Sequence, residues 1–549
     1  MPTLHWIGKD KVIKHHHDVP FRVLNHQYSF SHTQGDDSIS ENKIIHGDNL
    51  EGLKALLPYY EGKIKCIYID PPYNTGNEGW VYNDNVNDPK MKKWLGKVVG
   101  KEAEDLTRHD KWLCMMYPRL KLLHKLLAPD GAIFVSIDDN EQASIKLLID
   151  EIWGLGHFVA AVICVNNPKG RSDDKYIATA HETLLVYRKK EIFLMGGFKA
   201  DEKITIRYNK LDEFGIYRDI DLRKTGDNDK REDRPNLYYY FLYNKKTKEF
   251  YPTYDEAIPD EFIQIKPTRT DETDGNWRWG LKTAIENIHL LLPTFMSVRK
   301  KWTMMVKDYL TEEKVVKPTS VWDFKDVNSE RGTEEFIKNL GFQKGDFPNP
   351  KPVGIIERIL QIATDKNSII LDSFAGSGTT AQAVLNLNKV DGGNRKFILI
   401  EMKDYAETIT AERVKRVING YGNVEGTGGD FNYYELGESL FDEDRNINET
   451  LPVATLRDYI WYVETKNSLS EKTNENHQQP YFLDKYQETA YFFIYEKDHI
   501  TTLDYDFLEH VNIQAEQYVM YADNCTLSDA FRREKHIIFK KIPRDISRF

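Results

Sequence analysis

Short apolar runs typical of buried strands alternate along the chain with stretches whose apolar residues recur every three to four positions. The runs NKIIHGD (42–48), KIKCIYID (63–70) and AIFVSIDD (132–139) predict strands with acidic residues at their ends. The stretches NLEGLKALLPYY (49–60) and WLCMMYPRLKLLHKLLAPDG (112–131) predict the helices between them. This alternation is typical of an α/β fold built on a parallel sheet.

The alternation stops near residue 190 and resumes near residue 346. Between these positions the chain is polar, rich in aromatic residues and without a sustained period, which predicts an inserted domain. The strand KFILIEMK (396–403) and its neighbours predict that the sheet is then completed. We therefore divide the chain into a first sheet half, an insertion, a second sheet half and a C-terminal α+β region: 1–189, 190–345, 346–430 and 431–549.

The composition is compatible with a nucleic-acid substrate and does not indicate a metal site. The net charge is −11, yet one basic face is enough to hold phosphates, and SVRKKWTMMVKDYL (297–310) has a local excess of cations. The four cysteines lack paired spacing, and HHH at 15–17 lacks the spacing of a shared ligand set, so we expect no metal. No apolar run is long enough for a membrane span and no signal peptide follows Met1, which favours a cytoplasmic location.

The glycine-rich stretch SFAGSGTTA (373–381) follows a predicted strand and opens a predicted helix. Gly376, Gly378 and Ala381 fit the GxGxxG/A spacing, in which glycines let a cofactor approach the backbone. Glu401 ends the next strand, where an acid accepts hydrogen bonds from ribose hydroxyls. Nicotinamide cofactors and S-adenosylmethionine both carry adenosine, so the turn alone leaves the cofactor open, and a plain tight turn is the simpler alternative.

The stretch Asp70-Pro71-Pro72-Tyr73 lies at the carboxyl end of another predicted strand. Proline fixes φ and pushes the preceding residue to extended geometry, so the Asp70 carboxylate and the Pro71 carbonyl are held in one direction. Two such acceptors suit the exocyclic amino group of a base, and Tyr73 offers a flat face for base stacking. The alternative is a proline-capped strand end followed by a surface tyrosine.

DPPY together with FAGSGTT resembles the amino-group DNA methyltransferases that use S-adenosylmethionine. The order of the two motifs resembles the β class, in which the fold is circularly permuted and the target-recognition region lies between the halves. The stretches 4–24, 70–87 and 109–123 resemble more narrowly the modification subunits of type III restriction–modification systems. The resemblance implies a circularly permuted, seven-stranded Rossmann-like methyltransferase sheet with an inserted target-recognition domain.

The resemblance also implies roles for individual residues. It makes the tetrad Asp70, Pro71, Pro72 and Tyr73 catalytic. A target adenine would be flipped out, stacked on Tyr73, and bound through its N6 amino group by Asp70 and the Pro71 carbonyl. It makes the following residues cofactor-binding: Asp48, Lys351, Asp372, Phe374, Gly376, Gly378, Thr379 and Glu401. Asp48 fits a helix N-cap equally well.

The implied substrate is double-stranded DNA, read by the insertion. Candidate DNA contacts there are five arginines, most of which we expect to contact phosphate rather than base edges: Arg223, Arg231, Arg234, Arg278 and Arg331. An acid in first place of the tetrad favours adenine N6, and cytosine N4 stays the alternative. The resemblance implies a homodimer and a separate helicase-nuclease restriction subunit, since the chain has no GxxxxGK[ST] motif.

Four other functions stay open at this point. A methyltransferase that acts without a nuclease partner has the same motifs. A nicotinamide-dependent oxidoreductase explains the glycine turn but leaves DPPY without a role. An inactive recognition subunit, or methylation of RNA or protein, fits the tetrad less well.

Overall fold

The computed structural model describes residues 3–32, 40–75, 108–172, 174–199, 205–311, 315–442, 444–469 and 479–544. The chain divides into two compact units, one of Met1–Gly196 with Pro318–Phe549 and one of Gly197–Lys317. The second unit is narrower than the insertion predicted over 190–345. The chain rejoins the first unit early because Val321–Trp322 pairs with the strand that contains Ile163 and Cys164.

The first unit is built on one large mixed sheet. Within the described residues, ten strands take part: β1 (Arg22–Ser31), β2 (Lys43–His46), β3 (Ile64–Ile69), β4 (Leu127–Ile137), β5 (Phe158–Cys164), β6 (Glu182–Arg188), β7 (Val321–Trp322), β8 (Ile369–Asp372), β9 (Lys396–Glu401) and β10 (Asp430–Ser439). Their order across the sheet is β1-β10-β2-β9-β8-β3-β4-β6-β5-β7. All neighbours are parallel except β1 with β10, β4 with β6, and β5 with β6.

The sheet therefore has more strands in the described residues than the seven that the resemblance implies. The additional strands lie at the two edges: β1 and β10 on one side, and the two-residue β7 on the other. Strand β10 pairs with β2 through Lys43 and Asn432, so the predicted C-terminal region, 431–549, begins inside the main sheet. Strand β1 in turn covers the free edge of β10, which would otherwise expose unpaired backbone groups.

Helices cover both faces of this sheet. The main ones are α1 (Asn49–Tyr60), α2 (Arg108–Leu126), α3 (Gln142–Trp153), α4 (Val353–Ala363), α5 (Thr379–Asp391), α6 (Glu412–Asn419) and α7 (Val453–Thr465). Ile67 and Ile69 of β3 pack in one core with α1, α2 and α3. Cys66 and Tyr68, on the opposite face, are also buried, and α4 contacts β3. Burial on both faces explains why β3 is apolar from Cys66 to Ile69.

Strands β3 and β8 are adjacent and parallel although they come from opposite ends of the chain. Cys66 pairs with Ile370, and Ile67 pairs with Leu371. Because parallel strands end at the same edge of a sheet, the residues that follow Ile69 and Asp372 meet at that edge. This pairing positions the two motifs singled out from the sequence.

The second unit is mostly antiparallel β structure. One sheet contains Phe250–Thr253, Tyr240–Asn244 and Phe262–Ile265, and another contains Leu291–Met296, Lys301–Tyr309, Gly215–Asp221 and Lys210–Asp212. A short pair joins Phe198–Lys199 to Val315–Val316, and Leu281–Glu286 is helical. The core is largely aromatic, with Tyr239, Phe241 and Trp277 buried. The sequence analysis predicted none of these strands.

The C-terminal part of the first unit contains a second, smaller sheet. Its strands are Phe482–Tyr486, Thr489–Phe493, Gln517–Ala522 and Ile537–Lys541, in that order, and all but the first pair are parallel. Helix α7 packs in a core with this sheet, and Tyr505–Glu509 and Asp529–Glu534 contribute to another. No helix of the described residues is long and apolar enough to span a bilayer.

Candidate active site

Asp70 and the glycine turn line one cleft at the carboxyl edge of the sheet. The cleft contains about 300 Å³ of empty space, including the part open to solvent. Its walls are Tyr68, Asp70, Phe347, Asn349, Lys351, Ile356, Asp372, Phe374, Ala375, Gly376, Ser377, Thr379 and Thr380. The structure thus brings together six of the predicted site residues from segments that are far apart in the sequence: Asp70, Lys351, Asp372, Phe374, Gly376 and Thr379.

Asp70 is a buried carboxylate with unused hydrogen-bonding capacity. The residue is 7% exposed, and its Oδ1 atom is buried and accepts no hydrogen bond from the described residues. The Lys351 Nζ atom lies 3.3 Å from that oxygen. Burial raises the pKa of Asp70 to about 6, although the Lys351 ammonium lowers it. A buried acceptor that lacks a partner and lines a cleft can accept a hydrogen bond from a ligand N–H.

The proline corner is held in place by helix α2. Trp112 Nε1 donates a 2.6 Å hydrogen bond to the Pro72 carbonyl. Asn74 has a left-handed backbone with a φ of 57°, and its amide donates to the buried Glu141 carboxylate. The imidazole of His109 lies 2.6 Å from the same carboxylate. These contacts fix the direction of the corner beyond what the two prolines supply. Residues 76–87, part of the stretch that carried the resemblance, lie outside the described residues.

Tyr73 is packed into the core rather than presented as an open face. The residue is 8% exposed, and its hydroxyl donates to Glu182 Oε2 at 2.9 Å and accepts from Lys351 Nζ at 2.6 Å. The surface tyrosine considered as an alternative is therefore not what the structure shows. Base stacking on this ring stays a prediction, because it requires one face of the ring to become accessible.

Two buried acids shape the glycine turn. Gly376 and Gly378 have φ values of 53° and 82°, which explains why both positions are glycine. Glu401 Oε2 accepts from Gly376 N at 2.8 Å, and Asp372 accepts from Phe374 N at 3.0 Å. Burial raises the pKa of each carboxyl to about 7. Glu401 therefore contacts the turn itself, and its predicted contact with ribose stays a prediction.

Arg413, which the sequence analysis missed, clamps the same turn from helix α6. It is fully buried, and its Nη1 atom lies 2.7 Å from Ser377 Oγ and 2.8 Å from Thr379 Oγ1. Its Nε atom donates to Gln382 Oε1 at 2.9 Å. Burial lowers the pKa of its guanidinium to about 10. No local motif marks this arginine, because its role comes from the packing of α6 against α5.

Asp48 is the N-cap of helix α1, which was the alternative to a role in cofactor binding. Its Oδ1 atom accepts from Leu50 N at 2.9 Å and from Glu51 N at 3.2 Å, and its Oδ2 atom lies 3.5 Å from Arg119. Within the described residues it does not line the cleft. Cofactor binding by Asp48 stays a prediction.

The predicted DNA-contacting arginines fall into two groups. Arg223, Arg231 and Arg331 are each within 4 Å of a carboxylate. Arg331 also lies in the first unit rather than in the insertion unit. Arg234 and Arg278 are exposed. Arg231 and Arg331 are exposed as well, so of the five candidates the structure buries Arg223 alone.

Glu182 is the second site residue, after Arg413, that was not predicted from the sequence. It begins β6, and its Oε2 atom accepts from both Lys351 and Tyr73. Because β6 runs antiparallel to β4, its first residues lie at the edge where the parallel strands end. The stretch HETLLVYRK (181–189) has the apolar pattern of a strand, but the direction of a strand in a sheet cannot be read from such a pattern. In the described ranges, no group of three His, Cys, Asp or Glu side chains is arranged to hold a metal.

Comparison with known proteins shows the family of this chain. The family model described as "DNA methylase" matches residues 64–412. The Mod subunit of the type III restriction-modification enzyme EcoPI from Escherichia phage P1 is 34% identical over 415 residues, covering 73% of this chain and 63% of that protein. The type II methyltransferase M.KpnI from Klebsiella pneumoniae is 36% identical over 367 residues, covering 66% of this chain and 81% of that protein.

Among solved structures, the cytosine-N4-specific PvuII DNA methyltransferase aligns over 68% of this chain and 87% of its own, with a TM-score of 0.34 and 13% identity. The match to the EcoPI subunit spans less than two thirds of that subunit's length. The family match covers β3 and β8, the two strands that carry the motifs. The chain belongs to the N6/N4 DNA methylase family.

Proposed function

We propose that this chain transfers a methyl group from S-adenosylmethionine to N6 of an adenine in double-stranded DNA. The observation that carries the proposal is the cleft shared by Asp70 and the glycine turn. It puts an acceptor for an amino group next to a loop on which a nucleoside cofactor can lie. An oxidoreductase would need only the second of these features, and the family match disfavours it.

The residues of the cleft suit S-adenosylmethionine. Gly376 lines the cleft without a Cβ to cover its backbone, and Thr379 begins the helix that follows. The half-buried ring of Phe374 lines the same wall, where an aromatic face attracts a sulfonium cation by roughly 0.5–2 kcal/mol. When bound, the cofactor would supply an electrophilic methyl group and, as its sulfur–methyl bond breaks, would leave as the neutral thioether S-adenosylhomocysteine. Asp48 and Glu401 are proposed to bind its adenosine part.

The protein contributes mainly orientation to the transfer. The Asp70 carboxylate and the Pro71 carbonyl each accept one hydrogen of the N6 amino group. Those two bonds turn the nitrogen lone pair out of conjugation with the ring and direct it to the methyl carbon. Alignment of this kind accounts for a large part of the rate enhancement in two-substrate reactions. Asp70 takes up the proton that becomes acidic once the nitrogen has been alkylated.

The strand order supports a circularly permuted methyltransferase fold. In the sheet, the seven strands β2-β9-β8-β3-β4-β6-β5 form a continuous set, with β6 antiparallel to its neighbours. The strand before the glycine turn, β8, comes after the DPPY strand, β3, in the chain. We assign the edge strands β1, β10 and β7 as additions to this seven-stranded core.

The unit Gly197–Lys317 is proposed to recognise the DNA target. One of its hairpins, Leu291–Met296 with Lys301–Tyr309, ends in the exposed turn SVRK. Val298 at this tip is 96% exposed, and Arg299 and Lys300 beside it are also exposed. A two-stranded ribbon fits the major groove, and exposed cations at its tip suit the phosphates that flank the groove.

The partners are proposed from the similarity to Mod subunits. The EcoPI protein is a subunit of a restriction-modification enzyme, and we propose that this chain is likewise the modification and specificity subunit of such an enzyme. The C-terminal region after β10 is the proposed site for contacts with a second copy of the chain and with a helicase-nuclease restriction subunit. A methyltransferase that acts without such a partner, as the similarity to M.KpnI allows, is the second candidate.

Methylome sequencing of cells that express this chain alone tests the proposal. We expect N6-methyladenine at one short sequence motif, and no methylation in cells that express the Asp70→Ala variant. N4-methylcytosine at the motif would show that the target base is cytosine rather than adenine. No new methylated base, with folded protein present in the cells, would refute the proposed activity.

A further inference from the structure

Glu182 and Lys351 form a buried charged cluster with Asp70 and Tyr73, and the mechanism above assigns the first two no role. The side chains of Asp70, Glu182 and Lys351 are 9%, 6% and 14% exposed. Lys351 Nζ lies 2.7 Å from Glu182 Oε2, 2.6 Å from the Tyr73 hydroxyl and 3.3 Å from Asp70 Oδ1. Two carboxylates therefore share one ammonium in a place largely shielded from water.

The ammonium divides its contacts unequally. Its hydrogen bonds go to Glu182 and Tyr73, whereas its contact with Asp70 is an ion pair without hydrogen-bond geometry. Asp70 thus has a compensating positive charge close by, while its Oδ1 atom keeps the capacity to accept a hydrogen bond. A ligand amino group needs an acceptor that is ionised and buried and that does not already accept a hydrogen bond.

We propose that Lys351 and Glu182 are positioning residues for methyl transfer, in which Glu182 holds the Lys351 ammonium and the Tyr73 hydroxyl, and the ammonium keeps Asp70 a carboxylate. The inference rests on the proposed function, because the ionised Asp70 is the acceptor for the amino group of the base. It gives the Lys351 side chain a task on the base side of the cleft, whereas the resemblance placed this lysine at the cofactor.

The groups around Asp70 indicate that Lys351 and Glu182 shift the pKa of Asp70 in opposite directions. The titratable groups that face it are Tyr68, Tyr73, Glu182, Lys351 and Asp372. Burial raises the pKa of Asp70 most, the ammonium lowers it, and the second carboxylate raises it. Burial lowers the pKa of Lys351, but the two carboxylates raise it further, so it stays well above its usual value. The lysine is therefore charged at every pH at which the enzyme is assayed.

The test is the pH dependence of kcat in two variants with opposite expected shifts. In wild type, kcat falls on the acid side as Asp70 becomes protonated. In Lys351→Met the acid limb should move to higher pH by about one unit or more, because an opposite charge at this distance is lost. In Glu182→Gln it should move to lower pH, because a like charge is lost while the amide oxygen still accepts from Lys351. Lys351→Arg keeps the positive charge, so its acid limb should lie close to the wild-type pH.

Unmethylated genomic DNA is the substrate, and calorimetry with S-adenosylhomocysteine checks that each variant is folded. Lys389→Met is the matched control, since this lysine pairs with Glu425 on the surface of α5 and should leave the profile unchanged. The inference is overturned if the acid limb of the kcat profile does not move in Lys351→Met and Glu182→Gln, or if it moves in the same direction in both. If Lys351→Met does not fold, a limb in Glu182→Gln at or above the wild-type pH overturns it alone. Transfer that survives Asp70→Ala would instead refute the proposed function.

Discussion

The Asp70→Asn substitution is expected to stabilise the protein while it lowers methyl transfer. Asp70, Glu182 and Lys351 place two carboxylates around one ammonium, so the buried cluster carries an excess negative charge. Asparagine has the shape of aspartate and removes that excess. Lys351 keeps its 2.7 Å contact with Glu182, so no buried ammonium is left without a partner.

The magnitude follows from the pKa of Asp70. Burial raises this pKa from 3.8 to about 6, in spite of the lowering by Lys351. A difference of roughly two units corresponds to a cost of about 3 kcal/mol for ionising the group in the folded protein. Because the folded protein binds the proton more tightly than the unfolded chain, wild-type stability falls as the pH rises from about 4 to about 6. Asp70→Asn avoids that loss. Its free energy of unfolding should therefore exceed that of wild type by up to about 3 kcal/mol above about pH 6, and should equal it below about pH 4.

Differential scanning calorimetry at two pH values, with methyl-transfer assays beside it, checks the prediction. The unfolding temperature of Asp70→Asn should exceed that of wild type at about pH 7.5 and match it near pH 4. Loss of a hydrogen bond to a charged acceptor, roughly 1.5–3 kcal/mol, should lower kcat about 10- to 100-fold. Asp130→Asn is the control, since Asp130 makes a half-exposed ion pair with Lys65 and should change little. A lower unfolding temperature for Asp70→Asn at about pH 7.5 would refute this account of the cluster.

Three further substitutions test the site and the DNA-binding unit. Gly378→Ala places a Cβ 3.0 Å from the Thr410 carbonyl at a φ of 82°, so it should weaken S-adenosylhomocysteine binding in calorimetry and cost about 1 kcal/mol or more of stability. Arg413→Met removes the charged clamp on the turn and should weaken the same binding about 10-fold or more. The double variant Arg299→Ala/Lys300→Ala should reduce the slope of log affinity for DNA against log salt by about two.

Each of these has a matched control. Gly392 also has a positive φ but no neighbour within 4 Å, so Gly392→Ala should cost stability and leave cofactor binding intact. Arg416 lies on the same helix as Arg413 but forms a half-buried ion pair with Glu412 and does not contact the turn, so Arg416→Met should bind S-adenosylhomocysteine normally. Lys245→Ala/Lys246→Ala, on a different hairpin of the same unit, should keep the salt slope. A control that behaves like its test variant would contradict the role assigned to the tested residue.

The sequence predicted the features that depend on local pattern. The β3 run and the glycine turn are recognisable because burial on both faces and positive φ each restrict which residues fit. Each motif was predicted to follow a strand, and because those strands are adjacent and parallel, Asp70 and the turn line one cleft. Membership in the DNA methyltransferase family, inferred from the two motifs, was confirmed by the family match and by similarity to Mod subunits.

The features that were missed depend on contacts between distant segments. Glu182 reaches the cleft because β6 runs antiparallel, and Arg413 reaches the turn because α6 packs on α5. The strands of the second unit were not predicted, since its core rests on aromatic residues such as Trp277 within polar stretches. The ring of Tyr73, which was expected to offer an open face, is packed in the core, and its hydroxyl binds Glu182 and Lys351.

Transfer of a labelled methyl group to DNA, followed by digestion to nucleosides, tests the central claim most directly. Wild-type protein should place the label on N6 of deoxyadenosine, and Asp70→Ala should bind S-adenosylhomocysteine with unchanged affinity while transferring no label. An Asp70→Ala variant that still methylates adenine would contradict the account, because the acceptor in the shared cleft would then have no part in the reaction.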